Sequence, residues 1–234
     1  ILTAEQLEIK ELVHSFAEKE VRPIASEFDR SGEFPFDLYK TACKMQLNCL
    51  DLPEEYGGPG ISKVTACIVR EELSWGDAGF ALSVGANGLG MKPLLIAGTE
   101  AQRRHFADVV TSGGFSAFAL TEPDAGSDAG ACRSTAVAVG DEYVLNGHKC
   151  FITNGALADI YTVVASTDPS KGVKGLTMFM VDTNTPGLSV GKHEDKMGIR
   201  LSNTADVIFE DVRIPKANRI GSEGSGFKIA METL

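Results

Sequence analysis

Apolar positions recur at helical spacing along the first hundred residues and then give way to short apolar runs. Ile9, Leu12, Val13, Phe16 and Ala17 fall at i, i+3, i+4, i+7 and i+8 and make one face of a helix. Thr3 and Gln6 precede that face at capping-box spacing. Pro35 suits the first turn of a second amphipathic segment running toward Met45. The stretch "EEYGGPG" then favours a turn at Gly57, Gly58, Pro59 and Gly60. A third helix is predicted from about Ser62 to Trp75, followed by the glycine-spotted "SVGANGLGMKP". Thr99 and Gln102 repeat the capping-box spacing ahead of "QRRHFADVV". Residues 1–113 therefore read as an all-helical domain.

From Phe115 onward the runs shorten. "STAVAV", "EYVLNG", "KCFIT", "DIYTVVAST", "GLTMFMVD", "LSVGK" and "ADVIFEDVRI" each fit a strand. Asn146-Gly147 has the chemistry of a hairpin turn, and Thr185-Pro186-Gly187 marks another break. Strands at this spacing predict a compact antiparallel barrel or sandwich over residues 114–220. The last segment, "GSEGSGFKIAMETL", returns to helical character, with Phe227, Ala230, Met231 and Leu234 on one face and no C-cap residue after them. Residues 221–234 are expected to open a further helical domain of a longer protein. The fold class is α+β.

Composition narrows the function. A chain of 234 residues that is 43% hydrophobic can bury a sizeable core. Its 22 basic and 32 acidic residues give a net charge of −10, which opposes bulk attraction to nucleic acid or an anionic membrane surface. Cys43, Cys49, Cys67, Cys132 and Cys150 are odd in number and widely spaced, and are expected to be reduced, mostly buried thiols. No leader segment and no apolar run near the ~20 residues of a membrane span is recognised, so a soluble intracellular protein is expected.

Standard catalytic patterns are mostly eliminated. Gly187 to Gly191 matches G-x-S-x-G but follows a Pro-Gly turn and continues as a strand, so Ser189 reads as structural. Gly221, Gly224 and Gly226 lack the spacing of a dinucleotide fingerprint. His14, His105, His148 and His193 are scattered, without metal-ligand spacing.

Two segments hold candidate chemistry. "FALTEPDAGSDAG", Phe118 to Gly130, runs from a strand straight into a turn. The last backbone groups of that strand would be unpaired and open to a planar polar ring, with Thr121, Gly126 and Ser127 placed to bond the ring and a phosphate. A capped strand end explains the same residues equally well. "KCFITNG" puts Phe151 and Thr153 two apart, on one face of a strand, for a flat ring to stack on and bond to.

Together these segments, with "DKMGIRLSNT" and "GSEGSGFKIAM", resemble the acyl-CoA dehydrogenase family over essentially the whole chain. "HEDKMGIRLSNTADVIFEDVRIP" and "GFKIAMETL" look most like its short-chain, butyryl-CoA type. The resemblance implies a helical domain, a β-barrel domain and a C-terminal helical domain, FAD as cofactor, and a homotetramer. It implies removal of an acyl-CoA α-proton by a glutamate, with the β-hydrogen passing to the flavin and electrons going on to an electron-transferring flavoprotein. That glutamate is expected beyond Leu234, so no catalytic residue is assigned here, and Glu232 reads as a solvated-face carboxylate. The isolated chain is expected to be inactive.

By resemblance Phe118, Ala119, Leu120 and Thr121 bind the flavin pyrimidine edge. Gly126 and Ser127 meet the pyrophosphate side, with Ser127 also near CoA. Phe151, Ile152 and Thr153 wall the ring, Thr153 donating to flavin N5. Met231 and Leu234 are implied to flank the thioester and acyl chain, and Gly85, Gly88 and Gly90 the pocket floor. A glycine there either deepens the pocket or serves close helix packing. The resemblance implies a cytoplasmic or mitochondrial-matrix location. An acyl-CoA oxidase, a flavin monooxygenase, an enoyl-CoA reductase and a non-catalytic flavin or thioester binding module stay open as alternatives.

Overall fold

A computed structural model describes residues 2–234. α1, Ala4–Phe16, begins where expected: the Thr3 hydroxyl accepts from the Gln6 backbone N–H, and the Gln6 side chain accepts from the Thr3 N–H. A five-residue π-helical segment, Ala17–Val21, carries the chain into α2, Arg22–Ser31, which ends at Gly32 with φ of 72°. The sequence reading has no element there, because α2 has no fully buried residue and hence no full apolar stripe. α3, Phe36–Lys44, and α4, Lys63–Gly76, follow, α4 capped by the Ser62 hydroxyl. α6, Glu100–Thr111, carries the second capping box at Thr99 and Gln102.

α5, Ala78–Ala97, corrects one expectation. Among the described residues it is the helix long and apolar enough to cross a membrane by length and composition. Its apolarity has a packing reason: Phe80, Val84, Met91 and Leu94 are buried, and α5 lies against α4, α6 and the first strand.

The second half is one eight-stranded sheet. Its strands are β1 Ser116–Ala119, β2 Thr135–Val139, β3 Glu142–Thr153, β4 Ile160–Ser166, β5 Leu176–Asp182, β6 Leu188–His193, β7 Thr204–Pro215 and β8 Arg219–Ile220. The order is β6-β7-β3-β2-β4-β5-β8, with β1 paired to β4. Pairing is antiparallel except for β1 with β4 and a single β2–β4 bridge. No pairing among the described residues joins β6 to β8. The Cys150 N–H, however, donates to the Thr121 carbonyl and ties the end of β1 to β3. Tyr143, Tyr161, Phe179 and Val207 fill the core of the sheet.

Asn146-Gly147 is not a hairpin turn. "EYVLNG" and "KCFIT" are one strand, β3, and Asn146 sits at a register shift against β7. The Asn146 carbonyl accepts from the Asp211 N–H and its amide donates to the Asp211 carboxylate, so the turn-forming side chain serves a bulge instead. A Cβ at Gly147 would overlap the Ser134 side chain, which gives the glycine a packing reason.

α7, Gly226–Thr233, buries Gly226, Ile229, Ala230 and Thr233. The predicted face differs: Met231 and Leu234 are exposed toward a cavity, not the core. All five cysteines are free as expected, but only Cys49 and Cys150 are buried; Cys67 is exposed. Three of the histidines are each paired to a carboxylate, His14 to Glu72, His105 to Asp182 and His148 to Asp206. No metal-binding group occurs among the described residues.

Candidate functional site

β1 ends at the wall of a cavity of about 480 Å³. Phe118, Leu120, Thr121, Gly126, Ser127, Phe151, Ile152, Thr153, Met231 and Leu234 line it, from segments that the sequence placed far apart. Two candidates lie elsewhere. Ala119 is fully buried with its side chain in the sheet core, because alternation along β1 turns it away from Phe118 and Leu120. Gly85 lines a neighbouring cavity of about 370 Å³ that shares Ala86, Leu89 and Thr153 with the first.

The strand-end carbonyls are not free. The Lys149 ammonium donates to the Leu120 carbonyl at 3.1 Å, and the Thr121 carbonyl is bonded to β3 at 2.9 Å. What the junction offers is hydroxyl groups: those of Thr121, Ser127 and Thr153 find no hydrogen-bond partner among the described residues, although each lines the cavity.

Expected alternation also fails at Phe151. The β3–β7 register shifts between Lys149 and Ile152, and Phe151 takes a left-handed φ of 57°. This is uncommon for an aromatic residue and costs on the order of 1–3 kcal/mol. The bulge brings Phe151, Ile152 and Thr153 to the cavity together, with Phe151 62% exposed.

Beneath this wall lies a cluster the sequence reading missed. Lys149 is completely buried, and its ammonium meets Glu122 Oε1 at 2.6 Å. Glu122 also accepts from the backbone N–H groups of Arg133 and Ser134 and from the Cys132 thiol. Burial alone would raise the Glu122 pKa. The Lys149 charge, with hydrogen bonds from Cys132, Lys149 and Ser134, outweighs it and brings the carboxyl down to about 2. Burial pushes the Cys132 thiol up to about 11. Glu122 and Ala125 exchange backbone hydrogen bonds, closing the turn that carries Pro123 and Asp124. The visible signal was Lys149, a cation inside an apolar strand.

The glycine question divides. A Cβ at Gly85 would meet only Arg70 Nε at 3.6 Å, so Gly85 keeps space open. A Cβ at Gly88 would overlap the Asp51 carboxylate, and one at Gly90 would lie 2.6 Å from Ser116 Oγ, so those two permit close packing. Asn154 fixes the far end of the wall: Ser83 Oγ donates to its carbonyl at 2.8 Å and its amide donates to the Ser83 carbonyl at 2.9 Å, linking β3 to α5.

Apolar walls, three unpartnered hydroxyls and a charge-braced turn suit a planar ring with a polar edge. A flavin ring fits this set. The fold and this cavity thus suit the flavin-binding class of protein. Its particular kinship follows from two matches: "Acyl-CoA dehydrogenase, N-terminal domain" over residues 3–114 and "Acyl-CoA dehydrogenase, middle domain" over residues 117–212. The chain belongs to the acyl-CoA dehydrogenase family.

An acyl-CoA dehydrogenase of Bacillus subtilis is 44% identical over all of this chain and 62% of its own length. An acryloyl-CoA reductase (NADH) of Anaerotignum propionicum is 43% identical over all of this chain and 60% of its own. The solved butyryl-CoA dehydrogenase of Megasphaera elsdenii superposes with a TM-score of 0.94 at 41% identity, over 100% of this chain and 62% of that one. The chain thus spans about 60% of the length of these relatives.

Proposed function

We propose that the protein to which this chain belongs is an FAD-dependent acyl-CoA dehydrogenase, converting an acyl-CoA thioester to a trans-2-enoyl-CoA and passing electrons to an electron-transferring flavoprotein. The observation that carries this reading is the convergence of Thr121, Ser127, Phe151 and Thr153 on one cavity in a chain of this family. FAD, when bound, supplies the electron acceptor.

This chain's part is binding and orientation. Phe118, Leu120, Phe151 and Ile152 exclude water from the ring's surroundings, which strengthens each hydrogen bond made there. Thr121 and Thr153 supply hydroxyl donors on the cavity wall that would stabilise negative charge developing at a bound ring. Met231 and Leu234 present apolar surface for the acyl chain. No carboxylate lines either cavity among the described residues, and Glu232 is turned toward Lys228 at 3.7 Å. On this reading the proton acceptor is a carboxylate from a part of the protein other than these two cavity linings. A homotetramer is the assembly this reading carries.

The test is an anaerobic titration of the full-length gene product, loaded with FAD, against butyryl-CoA. Loss of the visible flavin band with formation of crotonyl-CoA is expected; a flavin that butyryl-CoA leaves oxidised contradicts the reading. The similarity to the acryloyl-CoA reductase favours a second reading, the same bond change run toward saturation. Steady NADH-dependent reduction of a 2-enoyl-CoA by the purified protein would select it.

A further inference from the structure

The second cavity, beside the flavin wall, is apolar except for Thr153, Ser74 and Arg70. Thr153 belongs to both cavities, so a molecule reacting beside it can extend into this groove, where Arg70 lines the wall. Arg70, on α4, is held by Asp51, which also receives Lys63 at 2.9 Å. Two cations thus share one carboxylate, leaving a local charge of +1 in an otherwise acidic protein.

The guanidinium is positioned with donors to spare. Only its Nη2 is bonded, to Asp51; Nε and Nη1 find no partner among the described residues. Nε lies 3.6 Å from where a Cβ at Gly85 would be, so the missing side chain leaves that donor open to the groove. Gly88 plays the matching part for Asp51, whose carboxylate occupies the space a Cβ would take. Two glycines one helical turn apart therefore seat an ion pair against α5. An arginine with N–H donors to spare, half-buried in an apolar groove, is suited to bind a carboxylate.

We propose that this groove recognises an acyl-CoA whose acyl chain ends in a carboxylate, that is, the monothioester of a dicarboxylic acid, with Arg70 as the specificity-determining residue. The inference rests on the acyl-CoA dehydrogenase reading and adds the chemistry of the chain's far end. A plain alkyl terminus would leave the free Arg70 donors without a partner in the occupied groove, whereas a carboxylate would satisfy them.

The test uses the full-length FAD-loaded protein under anaerobic conditions. Rates of flavin bleaching are compared for dicarboxylic monothioesters of four, five and six carbons and for saturated acyl-CoAs of the same lengths. At one of these lengths the carboxylate-ended thioester is expected to be favoured by tenfold or more in kcat/KM. Arg70→Met is expected to lower that ratio by tenfold or more, while Arg70→Lys retains part of it. Reduction by the alkyl series with no carboxylate preference at any length overturns this inference and leaves the dehydrogenase reading standing. A flavin reduced by neither series overturns both. The wild-type ratio alone decides the matter if Arg70→Met does not fold.

Discussion

Lys149 and Glu122 set the terms at the scale of single residues. A buried ion pair stabilises little beyond its desolvation, but removing one partner strands the other charge at a cost of about 3–5 kcal/mol. Lys149→Met should therefore lower the denaturation midpoint sharply and reduce FAD retention, since the Leu120 carbonyl and the Glu122 turn lose their brace together. Urea melts of the variant check this; unchanged stability would contradict the bracing role. The same pair predicts a pH dependence. The Glu122 carboxyl is lowered in the folded state to about 2, so its contribution is fully present above its unfolded pKa and lost as pH falls through the folded value. The loss, on the order of 3 kcal/mol, should appear between about pH 5 and pH 2, and Glu122→Gln should flatten the stability curve in that window. Of this residue-level chemistry the sequence displayed Thr121, Ser127 and Thr153, because a strand followed by a turn names its own edge. It did not display the Glu122–Lys149 contact, because their partnership across 27 positions exists only once β1 and β3 are side by side.

Elements show where local chemistry suffices and where tertiary pairing decides. The capping boxes at Thr3–Gln6 and Thr99–Gln102 were legible because both partners lie within one turn. Asn146-Gly147 was misread for the same locality: two residues that favour a hairpin are overruled by an opposing strand whose Asp211 pairs with Asn146. Gly147→Ala should force the overlap with Ser134 and cost about 1–3 kcal/mol, and Ser134→Gly in the same chain should restore most of it. Thermal melts of the single and double variants test the coupling; equal, additive losses would argue against it. The second bulge, at Phe151, stores strain where the cavity needs a ring. Asn tolerates the left-handed conformation and the largely exposed Phe151 contributes little buried apolar surface, so Phe151→Asn should raise the midpoint of the flavin-free protein by a few degrees while weakening flavin retention. A midpoint that falls would remove the strain argument.

On the scale of the whole molecule, α5 joins the two halves. It carries Asn87, which accepts from the Ser116 N–H and donates to Tyr39 and Asn48, and Ser83, which exchanges hydrogen bonds with Asn154. This explains why a glycine-spotted stretch without a polar face is a long helix: it is surrounded by partners, and amphipathicity is a signal only for helices that keep a wet side. The α+β order of the chain was legible because the spacing of apolar residues changes near Phe115; the parallel β1–β4 pair was not, since pairing direction leaves no mark on either strand. Because no carboxylate lines either cavity among the described residues, residues 1–234 alone are predicted to form no enoyl-CoA, and product detected from that chain would overturn this. The most direct test of the central claim is the amount of FAD bound per chain in the purified full-length protein and in its Thr121→Val/Thr153→Val double variant, read from visible absorbance after equilibrium dialysis. The site described here predicts one flavin per chain, with affinity reduced tenfold or more in the variant. A protein that binds no flavin, or a variant that holds it as tightly as the parent, would contradict the placement of the cofactor at the β1–β3 junction.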